Sequence, residues 1–256
     1  SIDRSAVDQA TERPLEAAMA APGPATAAGL DALVDAANAL SEQGRHAEAE
    51  RLYERCLAAA PRHFAALGNL AIQEMELGRG ARAVALYERA LEVNPAWFEG
   101  NYNLANLYAD QGPEGEARAI LRYRMALAIR PADADACNNL SICLSRAGQL
   151  REALDMAKRA VRLDKANALF VANLASLLYE AGDAAKAAFF ARRVPASADA
   201  AVARLLTTLF TDLGDLDAAD RCFRAVCDTA QLELPLRLRF ACAMARRGRP
   251  AEARAL

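Results

Sequence analysis

The chain has 256 residues, 54% of them hydrophobic, 25% charged, and a formal net charge of -2. Near-neutrality argues against a generic nucleic-acid binder, and no apolar run approaches the length of a membrane span. Six cysteines without a CxxC pair, or metal-ligand spacing to either of the two histidines, argue against a zinc site and favour buried free thiols in a reducing compartment, with a disulfide from Cys222 or Cys227 as the alternative.

Residues 1–29 are rich in Ala and Pro and read as a flexible lead or a short capping helix, with no convincing signal peptide. From residue 30 onward a period takes over. Gly44, Gly78, Gly112, Gly148, Gly182, Gly214 and Gly248 follow at intervals of 34, 34, 36, 34, 32 and 34, each with an alanine five places on. Self-similarity at this spacing predicts stacked helix-turn-helix units. With the glycine at place 15 of a unit, place 7 is mostly large and apolar (Leu70, Leu104, Leu140, Leu174), and place 8 is small (Ala37, Ala71, Ala105, Ser141). Together with places 4 and 11 they form the i, i+3, i+4, i+7 stripe of a first helix. Pro61, Pro95 and Pro131 close the first three units, since proline cannot continue the second helix.

The units fall near 30–63, 64–97, 98–133, 134–167, 168–199 and 200–233, with a partial unit over 234–256. Two spacings are irregular. Two extra residues inside a helix would turn its apolar face by roughly 200°, so the longer third unit carries them in its turn, Gly112-Pro113-Glu114-Gly115, and Ala119 and Tyr123 hold the small and aromatic places. In the shorter fifth unit Pro195 predicts an early stop to the second helix.

These landmarks, clearest in NLANLYADQG (103–112), GRGARAVALYERALEVNP (78–95) and NNLSICLSRAGQLREALDMAKRAV (138–161), resemble the tetratricopeptide repeat (TPR) family over residues 30–256. The family's tryptophan at place 4 is absent, and Lys165 stands where the fourth closing proline belongs. The resemblance implies an all-α solenoid in a right-handed superhelix, whose first helices line a concave face that binds protein.

No HExxH, GxSxG or phosphate-cradling loop is present, so the chain reads as non-catalytic, with no cofactor. On the concave face one row stands out: place 6 carries Asn69, Asn103, Asn139 and Asn173, with Asn38, Asn106 and Asn138 beside it. An amide donates and accepts at once, matching a peptide unit whatever side chain it bears. The row resembles the asparagine ladder in the TPR superhelix of O-linked N-acetylglucosamine transferases, where amides hold an extended peptide by its backbone; local helix contacts are the alternative. Glu76, Glu99 and Asp110, with Asp31 and Glu42, give the groove an acidic rim suited to a basic peptide. The carboxylate-gripping mode of chaperone-binding TPR domains is not matched: its three cation places hold Val34, Glu99 and Asn103.

Charge is uneven along the chain, with six arginines against one glutamate between Arg237 and Arg254, read as a solvated helix face rather than a nucleic-acid contact. His46 and His63 read as surface residues without partners. The last unit stops short, which points to a fragment or front domain that leaves Met244 and Leu256 uncovered and self-associates through this end. Three functions follow in order: a cytoplasmic scaffold binding an extended protein segment, with no nucleic acid or membrane partner; the substrate-recruiting front domain of a glycosyltransferase or sulfotransferase; or a self-assembling scaffold.

Overall fold

The computed structural model describes residues 26–195, 199–225, 234–249 and 252–253. Most of the N-terminal lead, together with Cys227, Arg254 and Leu256, lies outside the described residues. All regular structure among those described is helical, in two compact units, Ser1–Asp110 and Gln111–Leu256. The first contains α1 (Ala27–Glu42), α2 (His46–Ala59), α3 (Phe64–Glu76), α4 (Gly80–Val93) and α5 (Phe98–Ala109). The second opens with a 3₁₀ turn at Gly112–Glu114 and continues through α6 (Glu116–Ile129), α7 (Ala134–Arg146), α8 (Leu150–Leu163) and α9 (Ala168–Glu180). It ends with α10 (Ala184–Ala191), α11 (Ala200–Leu213), α12 (Leu216–Arg224) and α13 (Leu234–Arg246).

Each first helix ends on its glycine. Among the described residues the seven glycines at place 15 are those with positive φ, between 70° and 83°. At Gly44 an added Cβ would meet nothing within 4 Å, so only the left-handed backbone excludes other residues there. The turn satisfies two orphan carbonyls, with Gly44 N–H on Ser41 O at 2.9 Å and Arg45 N–H on Leu40 O at 2.9 Å. The same pair of bonds recurs around Gly78, Gly148, Gly182, Gly214 and Gly248. At Gly112 the 3₁₀ turn replaces it, which places the two inserted residues in the loop. Accordingly Ala119 is buried and Ala117 is exposed.

The opposite end of most first helices carries its own signal, a side-chain cap, although Trp97 before α5 provides none. His63, Asp133, Asn167 and Asp199 each accept a backbone N–H of the first turn of the helix they precede. His63 is therefore not a free surface residue: its Nδ1 takes the Ala66 N–H at 3.3 Å and its Nε2 lies 3.3 Å from Asp31. His46 is likewise half-buried, with its Nδ1 enclosed and without a partner.

Packing follows the repeat. Ala49, Ala83, Ala153, Ala187 and Ala219 are buried where each second helix meets its first, and Tyr53, Tyr87 and Tyr123 fill the larger space about one turn on. Neighbouring units are tied by arginines on the second helices: Arg89 donates to Pro61 O at 3.0 Å and Arg159 to Pro131 O at 2.6 Å. Two residues depart from the repeat in ways that shape the packing of Ser1–Asp110. Glu74 occupies place 11, where other units bury Leu40, Tyr108 or Leu144, and is fully buried. It is held by Arg79 at 3.1 Å and Arg82 at 3.7 Å, both of which also reach Glu50. Trp97, the single tryptophan, packs edge-on to Phe64 with ring centroids 5.2 Å apart and leans on Tyr87 at 5.7 Å. It fits because α3 and α5 present Gly68 and Gly100; at Gly100 an added Cβ would overlap the indole.

Pro195 acts as read: α10 has 8 residues, against 14 in α2, α4, α6 and α8. Met244 departs from expectation, being buried rather than left uncovered.

The placement of the insertion is directly testable. Ala119→Leu overpacks a helix crossing and should lower stability by about 1–3 kcal/mol, whereas Ala117→Leu, on the exposed side of the same helix, should change it by less than about 0.5 kcal/mol. Thermal denaturation of the two variants checks this; equal effects would place the inserted residues elsewhere.

Candidate functional site

Within Ser1–Asp110, the first helices α1 and α3 and the phenol of Tyr53 on α2 enclose an open cleft of about 300 Å³. Asn38 and Asn69 sit in its lining beside Ser41, Ile72 and Gln73, and Glu42 and Glu76 stand exposed at its rim. The amides do not wait idle. Asn38 Oδ1 accepts both from Tyr53 OH at 2.6 Å and from Asn69 Nδ2 at 2.7 Å, so its two lone pairs are filled. The Asn38 NH₂ and the Asn69 carbonyl oxygen are left unspent in the lining, one donor group and one acceptor.

The next rung is built differently. Asn103 Nδ2 donates to Tyr87 OH at 3.0 Å, and that hydroxyl lies 3.9 Å from Met75 Sδ. Asn106 and Glu99 are half-buried on the same helix, and Asp110 is exposed just past its end. Burial, with the negative charge of Glu42 adding to it, pushes the Tyr53 phenol up to about 12. Burial does the same for Tyr87, to about 12, against the lowering effect of the Asn103 bond and with Glu76 raising it further. Both phenols are thus neutral hydrogen-bonding groups at physiological pH. The aromatic at place 24, repeated as Tyr53, Tyr87 and Tyr123, was the available signal for these partners.

In Gln111–Leu256 the row turns inward. Asn173 Nδ2 donates to Asn138 Oδ1 at 2.8 Å, and Asn138 Nδ2 to Asn139 Oδ1 at 3.2 Å. Asn138 is 2% exposed and Asn173 7%. These two amides, read as peptide-facing, are sealed between helices, where an unsatisfied polar group would be costly and each meets the other's need. Asn139 alone of the three remains half-exposed.

Other groups singled out by sequence are spent locally. Arg239 pairs with Asp212 at 2.5 Å, and Arg249 with Asp217 at 2.7 Å and Glu252 at 2.5 Å. Cys56, Cys137, Cys143 and Cys222 are buried free thiols and Cys242 is an exposed one. Burial raises all four enclosed thiols, Cys143 to about 12, with the neighbouring Glu116 carboxylate contributing. No group of three or more His, Cys, Asp or Glu side chains among the described residues is placed to hold a metal ion, and no described helix is long and apolar enough to cross a membrane.

Two measurements follow. Among the described cysteines, iodoacetamide at pH 8 should label Cys242 quickly and the other four only on unfolding; rapid native labelling of Cys143 would contradict its burial. The phenols give a pH dependence of known sign. Their ionised forms are disfavoured in the fold, so the stability they contribute is complete below pH 10, their ordinary value, and is lost between pH 10 and about 12. Thermal melts from pH 9 to 12 should show a steeper loss in the natural chain than in Tyr53→Phe/Tyr87→Phe.

Tetratricopeptide repeat models match residues 40–99, 138–202 and 237–256. No curated protein matches the sequence. Solved structures share the fold at low identity. PilF from Pseudomonas aeruginosa superposes with a TM-score of 0.63 at 17% identity, over 85% of this chain and 97% of that one. MamA from Desulfovibrio magneticus RS-1 gives 0.59 at 21%, over 64% and 92%. YrrB, described as a TPR protein with an unusual peptide-binding site, gives 0.59 at 16%, over 85% and 91%. Left-handed glycine turns between the two helices of every unit and matching models over more than half the length lead to one conclusion: the chain belongs to the tetratricopeptide repeat family.

Proposed function

We propose that this chain is a non-catalytic protein-binding scaffold that holds an extended, basic peptide segment along the first helices of Ser1–Asp110. The observation that carries the reading is the Asn38–Asn69 pair in a cleft rimmed by Glu42 and Glu76. YrrB, of the same fold, lends precedent for a peptide in such an array.

Energetics decide what kind of binding this is. Each accessible amide has already given one donor or acceptor to the fold, so two rungs offer about four bonds to a peptide backbone, on the order of 4 kcal/mol net. Ordering an extended peptide takes back several. Backbone grip alone is then too weak, and the balance must come from cationic side chains meeting Glu42 and Glu76. Binding is consequently weak, short-lived, salt-sensitive and selective for basic segments.

The test is fluorescence anisotropy with a labelled decapeptide of alternating Lys and Ala, and its Glu/Ala counterpart, at two salt concentrations. The Lys peptide should bind with Kd of about 100 μM or weaker. Glu42→Gln/Glu76→Gln should cost about fivefold to tenfold, and Asn69→Ala/Asn103→Ala should weaken whatever binding remains. Asn173→Ala should leave affinity unchanged while lowering stability by about 1–3 kcal/mol, since it removes a buried bond. Indifference of the Lys peptide to the two rim substitutions would refute the reading.

A further inference from the structure

A second cleft, of about 420 Å³, lies in Gln111–Leu256 where the end of α8, the start of α9 and the chain after α10 meet. It owes its existence to Pro195. A second helix of the ordinary length would run six residues further, about 9 Å at the helical rise, whereas α10 ends at Ala191 and residues 192–195 are not helical. The lining left behind is apolar: Val161, Val171, Phe190 and Val194.

Three cations stand in the same lining, Arg162, Lys165 and Arg193. None has a carboxylate partner among the described residues, whereas the neighbouring Arg124, Arg146 and Arg192 are paired with Glu152, Glu116 and Asp215. The carboxylate nearest in sequence, Asp164, accepts the Ala166 N–H at 3.0 Å and so is turned to its own loop. Arg193 is held over the ring of Phe189, 4.8 Å from its centroid, and Phe189 itself is 55% exposed. An open apolar cleft of this size falls within the range of about 300–1,000 Å³ typical of ligand sites, and unpaired positive charge around it selects an anionic occupant.

We propose that this cleft docks an acidic segment of a partner protein that carries a large apolar residue between carboxylates: the apolar side chain enters among Val161, Val171, Phe190 and Val194, and the flanking carboxylates meet Arg162, Lys165 and Arg193. A nucleic acid fits less well, because it asks for a run of phosphate contacts along an extended basic groove and for several aromatic faces, and here the charge surrounds one apolar depression with one ring in its lining. The site has the opposite charge preference to the Asn38–Asn69 cleft and stands independently of it.

The probe is the labelled hexapeptide Asp-Glu-Leu-Phe-Asp-Glu, titrated into the full chain and followed by anisotropy. Binding should fall by about tenfold or more in Arg162→Gln/Lys165→Gln/Arg193→Gln, three exposed positions whose replacement should leave helicity intact by circular dichroism. It should fall as far when the central Leu-Phe is changed to Gly-Gly, and should be unchanged in Glu42→Gln/Glu76→Gln. Equal binding of the Gly-Gly peptide would show diffuse attraction rather than a cleft and overturn the proposal. So would absence of binding, insensitivity to the triple substitution, or displacement of the peptide by a thymidine decanucleotide, the last assigning the surface to single-stranded nucleic acid.

Discussion

One backbone conformation underlies the whole array: the left-handed residue that ends each first helix. Its glycine brings the chain round so that its N–H and that of the next residue close on the last turn, and the carbonyl taken by the second of these belongs to place 11. The same turn thus fixes both the course of the second helix and the side chain that helix must cover. Leu40, Leu144, Leu178, Phe210 and Met244 are all buried at that place as a result. Alanines five residues on then lie at the crossing, where anything larger would hold the helices apart. The arrangement tolerates length changes only in the turn, which is why the two residues added after Asp110 appear as a 3₁₀ segment and not as a shift of α6.

Polar groups inside such a thin core have to be answered locally before they can serve a ligand. Glu74 is the sharpest instance, a carboxylate at an apolar place that is retained by two arginines shared with Glu50. The asparagines obey the same rule with gentler consequences. In Gln111–Leu256 Asn138 and Asn173 bond to one another and leave the surface, with Asn139 still half-exposed; in Ser1–Asp110 tyrosine hydroxyls enter the network, and part of the Asn38 and Asn69 amides is left over. For Asn173 the difference lies at place 24 of the preceding unit, where Tyr53 and Tyr87 supply a hydroxyl to their asparagines and Ala157 does not.

Function in a repeat protein resides in the departures from its repeat. Every unit has the glycine and almost every unit the alanine, so these say nothing of what is bound. The features that distinguish this chain are an acidic rim confined to its first units, a tryptophan accommodated by two helix glycines, and a second helix cut short by proline beside three unpaired cations. The charges around the two clefts are opposite, Glu42 and Glu76 at one and Arg162, Lys165 and Arg193 at the other, so the two proposed ligands differ in chemistry.

The sequence by itself determined the period, the turn glycines, the early stop at Pro195 and the place of the insertion. All of these rest on local chemistry: backbone conformations that one residue type adopts cheaply, and an apolar face that cannot rotate. Only the tertiary structure decided which asparagines remain accessible, because Asn69 and Asn173 occupy the same place and differ in the residues that neighbouring helices bring against them. His63 shows the same boundary at smaller scale, since its partners are the start of its own helix and Asp31 of another. Arg162, Lys165 and Arg193 are the converse case, ordinary surface cations in the linear chain that only the missing turns of α10 gather around an apolar cleft.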